Sequence, residues 1–138
     1  MSVLVLDSGA VSHLARGGEQ ALSDFEALVG EGLWPPVIPT VVLAECLSGR
    51  PQDDVVVEIL LKSCSVLETV TRETAKRAGE LRRLAGRGSA VDAVVVAMAE
   101  PAGTILTDDL KDLAALAQQS DRVSALPIKS GRGHRARR

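Results

Sequence analysis

The sequence predicts an α/β fold: a parallel sheet with helices on both faces. Three observations carry this. Short apolar runs alternate along the chain with stretches of helical periodicity, the pattern of repeated β-α-β units. The first run, Val3 to Leu6, has four consecutive apolar residues, as in a strand buried on both faces; a half-exposed strand would alternate. With 138 residues, 46% of them hydrophobic, the chain has the size of one domain and can bury a real core.

The elements follow in order. Val3 to Leu6 is the first strand, stopped by Asp7, Ser8 and Gly9. Ala10 to Ala15 reads as a short helix broken by Arg16-Gly17-Gly18, and Glu19 to Gly30 as a second helix, with Leu22, Phe25, Leu28 and Val29 apolar. Trp34-Pro35-Pro36 interrupts the chain before a brief strand, Val37-Ile38, which Pro39 ends. Thr40 is placed to cap a helix from Val41 to Leu47, closed by Ser48-Gly49. Asp53 and Asp54 open the next helix, where acids suit the positive end of the dipole. Ser65 to Val70 is the third strand. Thr71 caps a long helix to about Ala85, which Gly86 closes. Gly88 to Asp92 leads into a small-residue helix from Ala93 to Glu100, ended by Pro101 and Gly103. Thr104 to Leu106 is a strand running into Thr107-Asp108-Asp109; a helix over Leu110 to Ala117 and a strand near Val123 to Leu126 complete the body.

Charge is distributed unevenly. Five of the 16 Lys and Arg residues fall between Lys129 and Arg138 and none of the 18 Asp and Glu do, so residues 1–128 carry 11 basic against 18 acidic groups. An acidic domain over 1–128 is thus followed by a basic tail over 129–138, of the kind that touches nucleic acid or an acidic partner or else stays frayed and solvated. On the long helix, Arg72, Lys76 and Arg83 lie within about 40° of one another. Such a stripe steers a polyanion or forms a solvated face moderated by Glu73 and Glu80. One Phe, one Trp and no Tyr argue against recognition by stacking of bases. Cys46 and Cys64 form no disulfide framework or zinc knuckle and read as small hydrophobes of a reducing cytoplasm. No apolar stretch approaches the length of a membrane span and no signal sequence is apparent, so a cytoplasmic location without membrane contact is expected.

The acids call for explanation. Asp7 follows one strand, Asp108 and Asp109 follow another, and Asp92 stands at a helix start. Each has a structural reading as a cap or dipole partner. Glu45 is different: surrounded in sequence by Val41, Val42, Leu43, Ala44, Cys46 and Leu47, it should be partly desolvated and in need of a cation or donor. In an open parallel sheet, ligands bind at the carboxyl ends of the strands. Carboxylates gathered there would repel one another unless a divalent cation neutralised them, and hard oxygens without a His or Cys cluster select Mg²⁺ or Mn²⁺. Such a site suits in-line hydrolysis of a phosphodiester. His13 and His134 lack neighbours that indicate catalysis.

Four blocks, VLVLDSGA at Val3 to Ala10, PTVVLAE at Pro39 to Glu45, GSAVDAVVVAMA at Gly88 to Ala99 and GTILTDDLKDL at Gly103 to Leu113, resemble in order and spacing the PIN domain, and specifically the VapC toxins of type II toxin-antitoxin pairs. The resemblance extends to about Leu126. It implies a three-layer α/β/α PIN-like fold, with a central, mostly parallel sheet of four to five short strands. It also implies a Mg²⁺-dependent endoribonuclease (Mn²⁺ as substitute) that acts on RNA, is held inactive by a VapB-like antitoxin and is homodimeric. Carried over by position, Asp7 and Asp92 would be the principal metal ligands. Glu45 would hold the metal through its waters or help activate the nucleophile. The family pattern of Thr, any residue, Asp selects Asp109 as the fourth acid, with the adjacent Asp108 next in preference and Asp112 a peripheral fifth.

Other readings rank lower. A phosphatase with an aspartyl nucleophile wants a second Asp two residues on, where this chain has Gly9; a phospho-accepting receiver needs an early acidic pair and a late lysine. The non-enzymatic rival is a PIN-like module that binds RNA or protein without turnover, and all four acidic positions being present counts against it.

Overall fold

The computed structural model describes residues 2–128; the basic tail predicted over 129–138 lies outside the described residues. Twelve elements alternate along them: β1 (Leu4–Leu6), α1 (Ser8–Arg16), α2 (Gly18–Gly30), β2 (Val37–Pro39), α3 (Thr40–Cys46), α4 (Pro51–Leu61), β3 (Ser65–Leu67), α5 (Arg72–Ala85), α6 (Ala90–Ala99), β4 (Thr104–Thr107), α7 (Leu110–Gln118) and β5 (Ser124–Pro127). The sheet has the order β3-β2-β1-β4-β5, and each neighbouring pair is parallel. The helices form two packed groups, α1 with α2, α3 and α4, and α5 with α6 and α7, while α1 and α6 both lie against β1 and β4. This is the three-layer α/β/α arrangement.

β1 reads as an unbroken apolar run because it is the middle strand, and Leu4, Val5 and Leu6 are all buried. Its register, Val5 opposite Val37 on one side and Ile105 on the other, stacks β-branched residues across the sheet centre. Aliphatic side chains fill the interior, with Val11, Ile38, Leu81, Val95, Leu113 and Leu116 fully buried. The two aromatic residues stand outside this core: Phe25 and Trp34 meet edge to face at 4.8 Å, and the Trp34 indole N–H donates to the Ser63 carbonyl.

Local departures from the predicted elements have local causes. β3 stops at Leu67, short of Val70, because β2 offers only three residues to pair with, Val37 to Pro39. Thr40 lies inside α3, and extended Pro39 takes the capping position without a side-chain bond. α4 begins at Pro51, before Asp53, as a ring with fixed φ favours the first helical position. Its buried Asp54 accepts hydrogen bonds from the Ser48 N–H, the Ser48 hydroxyl and the Gly49 N–H, each at 2.9 Å. These bonds hold its carboxyl below the usual carboxylate range. Asp54 therefore fastens the α3–α4 turn as well as occupying the first turn of the helix.

The strand order reverses between β1 and β4. The chain leaves β1 for β2 and β3 on one side and later returns through β4 to β5 on the other. The segments after β1 and β4 therefore diverge, leaving a crevice at their carboxyl ends, the usual ligand position in such sheets. Asp7 follows β1, and Asp108 and Asp109 follow β4.

Candidate metal centre

Asp7 closes β1 and caps α1. Its backbone is extended, and Oδ1 accepts the Ala10 N–H at 2.8 Å. Its other oxygen, Oδ2, accepts a hydrogen bond from the fully buried Thr107 hydroxyl at the end of β4. Thr107 Oγ1 in turn accepts the Asp109 N–H at 2.8 Å. A single hydroxyl thus ties the first acid to the backbone carrying the last ones. Asp7 is 5% exposed, and burial pushes its carboxyl up to about 6. The two hydrogen bonds oppose that rise, while Asp108 and Asp92 add to it by like-charge repulsion.

Asp108 reaches this position because residue 9 is glycine. A Cβ on Gly9 would overlap the Asp108 carboxyl group, so the first turn of α1 must be bare for the carboxylate to rest against it. Asp109 occupies the capping position of α7 but makes no capping bond. Its carboxylate is instead turned toward two other acids: one oxygen from each of Asp92, Asp109 and Asp112 lies within 4.8 Å of the others.

Asp92 is set by a reciprocal cap at the start of α6. Its N–H donates to Ser89 Oγ at 3.0 Å, and its Oδ2 accepts the Ser89 N–H at 3.4 Å. The dipole reading and the site reading of Asp92 thus hold together. Partial burial raises its pKa, the Ser89 bonds oppose this, and Asp109 and Glu45 raise it further.

Glu45 is exposed, which corrects the expectation of a partly desolvated carboxylate. α3 packs one side against the core, through fully buried Val42 and partly buried Leu43 and Cys46, while Ala44 and Glu45 lie on the side that faces outward. The structure brings Asp92, Asp109 and Asp112 into one tight group, with Asp7 and Asp108 behind it. Glu45 stands outside that group but acts electrostatically on Asp92.

Sequence reasoning passed over two residues. Ser89, three before Asp92, carries a legible Ser-x-x-Asp capping signal. Arg87 donates from Nε to Asp112 Oδ1 at 2.6 Å and is the cation paired with this acidic group among the described residues. His13, expected not to be catalytic, spends its ring on Asp24 at 2.7 Å, joining α1 to α2. His134 lies outside the described residues. Cys46 and Cys64 are both free thiols.

The donor set is carboxylate throughout, and repulsion from the neighbouring acids helps raise the pKa of Asp7 and of Asp92. That is the chemistry of a hard divalent cation site, and the residues fit one.

The comparisons with known proteins bear on the family and the fold. The family model described as PIN domain matches residues 4–119. Among solved structures, a chain of VapBC2 from Rickettsia felis, bound to a DNA fragment from their promoter, superposes with a TM-score of 0.67 at 15% identity. That match covers 92% of this chain and 99% of that one. FitAcB from Neisseria gonorrhoeae gives a TM-score of 0.61 at 16% identity, covering 90% and 96%. PAE2754 from Pyrobaculum aerophilum gives 0.60 at 15% identity, covering 92% and 91%. No curated protein matches the sequence at a significant level. With the family model spanning most of the chain, and the same fold in these structures, the chain belongs to the PIN domain family.

Proposed function

We propose that this PIN domain is a Mg²⁺-dependent endoribonuclease of the VapC toxin kind, which cleaves RNA phosphodiester bonds to inhibit translation and is neutralised by a VapB-like antitoxin. The observation that carries the reading is the convergence of Asp7, Asp92, Asp108 and Asp109 at the carboxyl edge of β1 and β4, where the strand order reverses. Asp7, Asp92 and Asp109 would hold Mg²⁺ or Mn²⁺, with Asp108 adjacent. Glu45 would orient a water or help activate the nucleophile. When bound, the ion lowers the pKa of a water and clamps phosphoryl oxygens as charge builds on them.

The chain's own part is to fix these carboxylates in advance. The Ala10 N–H and the Thr107 hydroxyl hold both oxygens of Asp7, and the Ser89 cap holds Asp92. Asp108 and Asp109 are exposed, so the site is open from the side, which suits a polymer better than a small metabolite. The structural likeness to chains of VapBC2 and FitAcB supports an antitoxin partner. A homodimer and a cytoplasmic location belong to the same reading. Among the described residues no helix is long and apolar enough to cross a membrane.

The test is cleavage of total RNA with Mg²⁺ or a chelator. The expected outcome is a Mg²⁺-dependent product, reduced at least about 100-fold by Asp7→Asn or Asp92→Asn with circular dichroism unchanged. Asp109→Asn should weaken cleavage more than Asp108→Asn. Absence of any Mg²⁺-dependent product would leave a binding module instead, and copurification with the product of the neighbouring reading frame tests the antitoxin.

A further inference from the structure

We propose that the exposed cationic row of α5, from Arg72 through Lys76 to Arg82 and Arg83, is a track on which the phosphate backbone of RNA lies as it enters the acidic site. The proposal rests on the nuclease reading for the purpose of the track, but its evidence is separate.

Arg72, Lys76, Gly79, Arg83 and Gly86 recur at intervals of three or four residues, so they form one line along α5. Arg72, Lys76, Arg82 and Arg83 are exposed, and none pairs with a carboxylate among the described residues. In a domain with an excess of acids, four neighbouring cations left unpaired form a local positive field. Of the two moderating acids on this helix, Glu73 stays exposed in the first turn beside Arg72, while the other is drawn aside. Glu80 is held by Arg77, which also grips Glu100 through two bonds at 2.9 and 2.8 Å.

A second observation is the floor of the row. Gly79 sits in the interior of α5, where glycine is a poorer helix former than alanine. Yet a Cβ there would meet nothing within 4 Å. Neither packing nor a positive φ within the chain calls for it. It lines an open cleft with Arg82, Arg83, Gly86, Arg87 and Gly88, where bare backbone lets a sugar-phosphate chain come close.

The row also ends in the right place. Arg82 Nε donates to the Gly88 carbonyl at 3.3 Å, next to the Ser89 that caps Asp92, and Arg87 holds Asp112 of the acidic group. From Arg72 to Arg83 the row runs about 16 Å, enough for several phosphates. With one Phe, one Trp and no Tyr in the chain, this surface reads charge and leaves the choice of sequence to others.

The test uses the full chain carrying Asp7→Asn, so that RNA survives, and a labelled single-stranded RNA oligonucleotide of mixed sequence, with affinity measured over a salt series. Removing one cation that neutralises a phosphate should flatten the slope of log affinity against log salt by about 0.7. Lys76→Gln/Arg82→Gln/Arg83→Gln should therefore flatten it by about 2, and weaken binding at least about tenfold at low salt. Gly79→Leu should bind RNA several-fold more weakly without a fall in thermal stability. An unchanged slope in the triple variant overturns the track, as does unchanged affinity in Gly79→Leu. So does an unchanged slope accompanied by an altered oligomeric state, which would assign α5 to contact between protein copies. Failure of the nuclease reading looks different: the native chain would show the salt-dependent binding and its weakening in the variant, yet make no Mg²⁺-dependent product.

Discussion

Asp7 is the residue where burial and charge conflict most. An unfolded chain ionises this carboxyl near 3.8, whereas the folded one holds its proton to about 6. Between those values the folded state binds the extra proton, so rising pH lowers stability across the window, and the full penalty is in place above it. Two pH units correspond to at most about 3 kcal/mol. In chelator, Asp7→Asn should therefore raise the melting temperature at pH 7 and lessen the decline expected of the native chain from about pH 4 to 6. Parallel stability-pH curves for the two proteins would refute this. The acids were legible in the sequence because each stands at a strand end or helix start, where pattern fixes position. Their partners were not. Arg87 meets Asp112 across 25 residues and Thr107 meets Asp7 across 100, and no local periodicity records such pairs. Glu45 was misjudged because sequence neighbours on a seven-residue helix say little about which side of it faces the core.

Among the elements, the loop from Gly86 to Ser89 does the most to place the site. Gly86 ends α5 in the left-handed conformation, at φ 70°, and Gly88 follows at φ 96°. A Cβ on Gly88 would also lie 2.6 Å from Leu116 Cδ1, in the core beneath α7. Gly88→Ala should then destabilise the fold by about 1–3 kcal/mol, read by urea denaturation. Because Ser89 and Asp92 are carried on the same loop, it should also weaken Mg²⁺ binding by calorimetry; an unchanged affinity would show that Asp92 is placed by α6 alone. Alternation of apolar runs with helical stretches made all twelve elements legible, with boundaries off by a few residues. The three-residue error at the end of β3 came from reading a strand by its own apolar content when its length is set by the strand beside it.

For the whole molecule, the acids form a store of repulsion that a cation relieves. Mg²⁺ should accordingly raise the melting temperature, by an amount corresponding to about 2.7 kcal/mol at a roughly hundredfold excess over the dissociation constant. Asp92→Asn should blunt that rise, and an equal rise in both proteins would place the ion elsewhere. A chelator should leave the fold intact, since the core is aliphatic and continuous without the site. The sheet order β3-β2-β1-β4-β5 puts β1 at the centre, paired with a strand that follows about a hundred residues later. As the polypeptide leaves the ribosome, β1 must wait for β4 before the crevice between them exists. A growing chain, however much of α1 to α6 it has formed, has Asp7 without Thr107, Asp108 or Asp109. The acidic pocket therefore comes into being only once β4 has been made, and a copy cut short before Thr104 would lack it altogether.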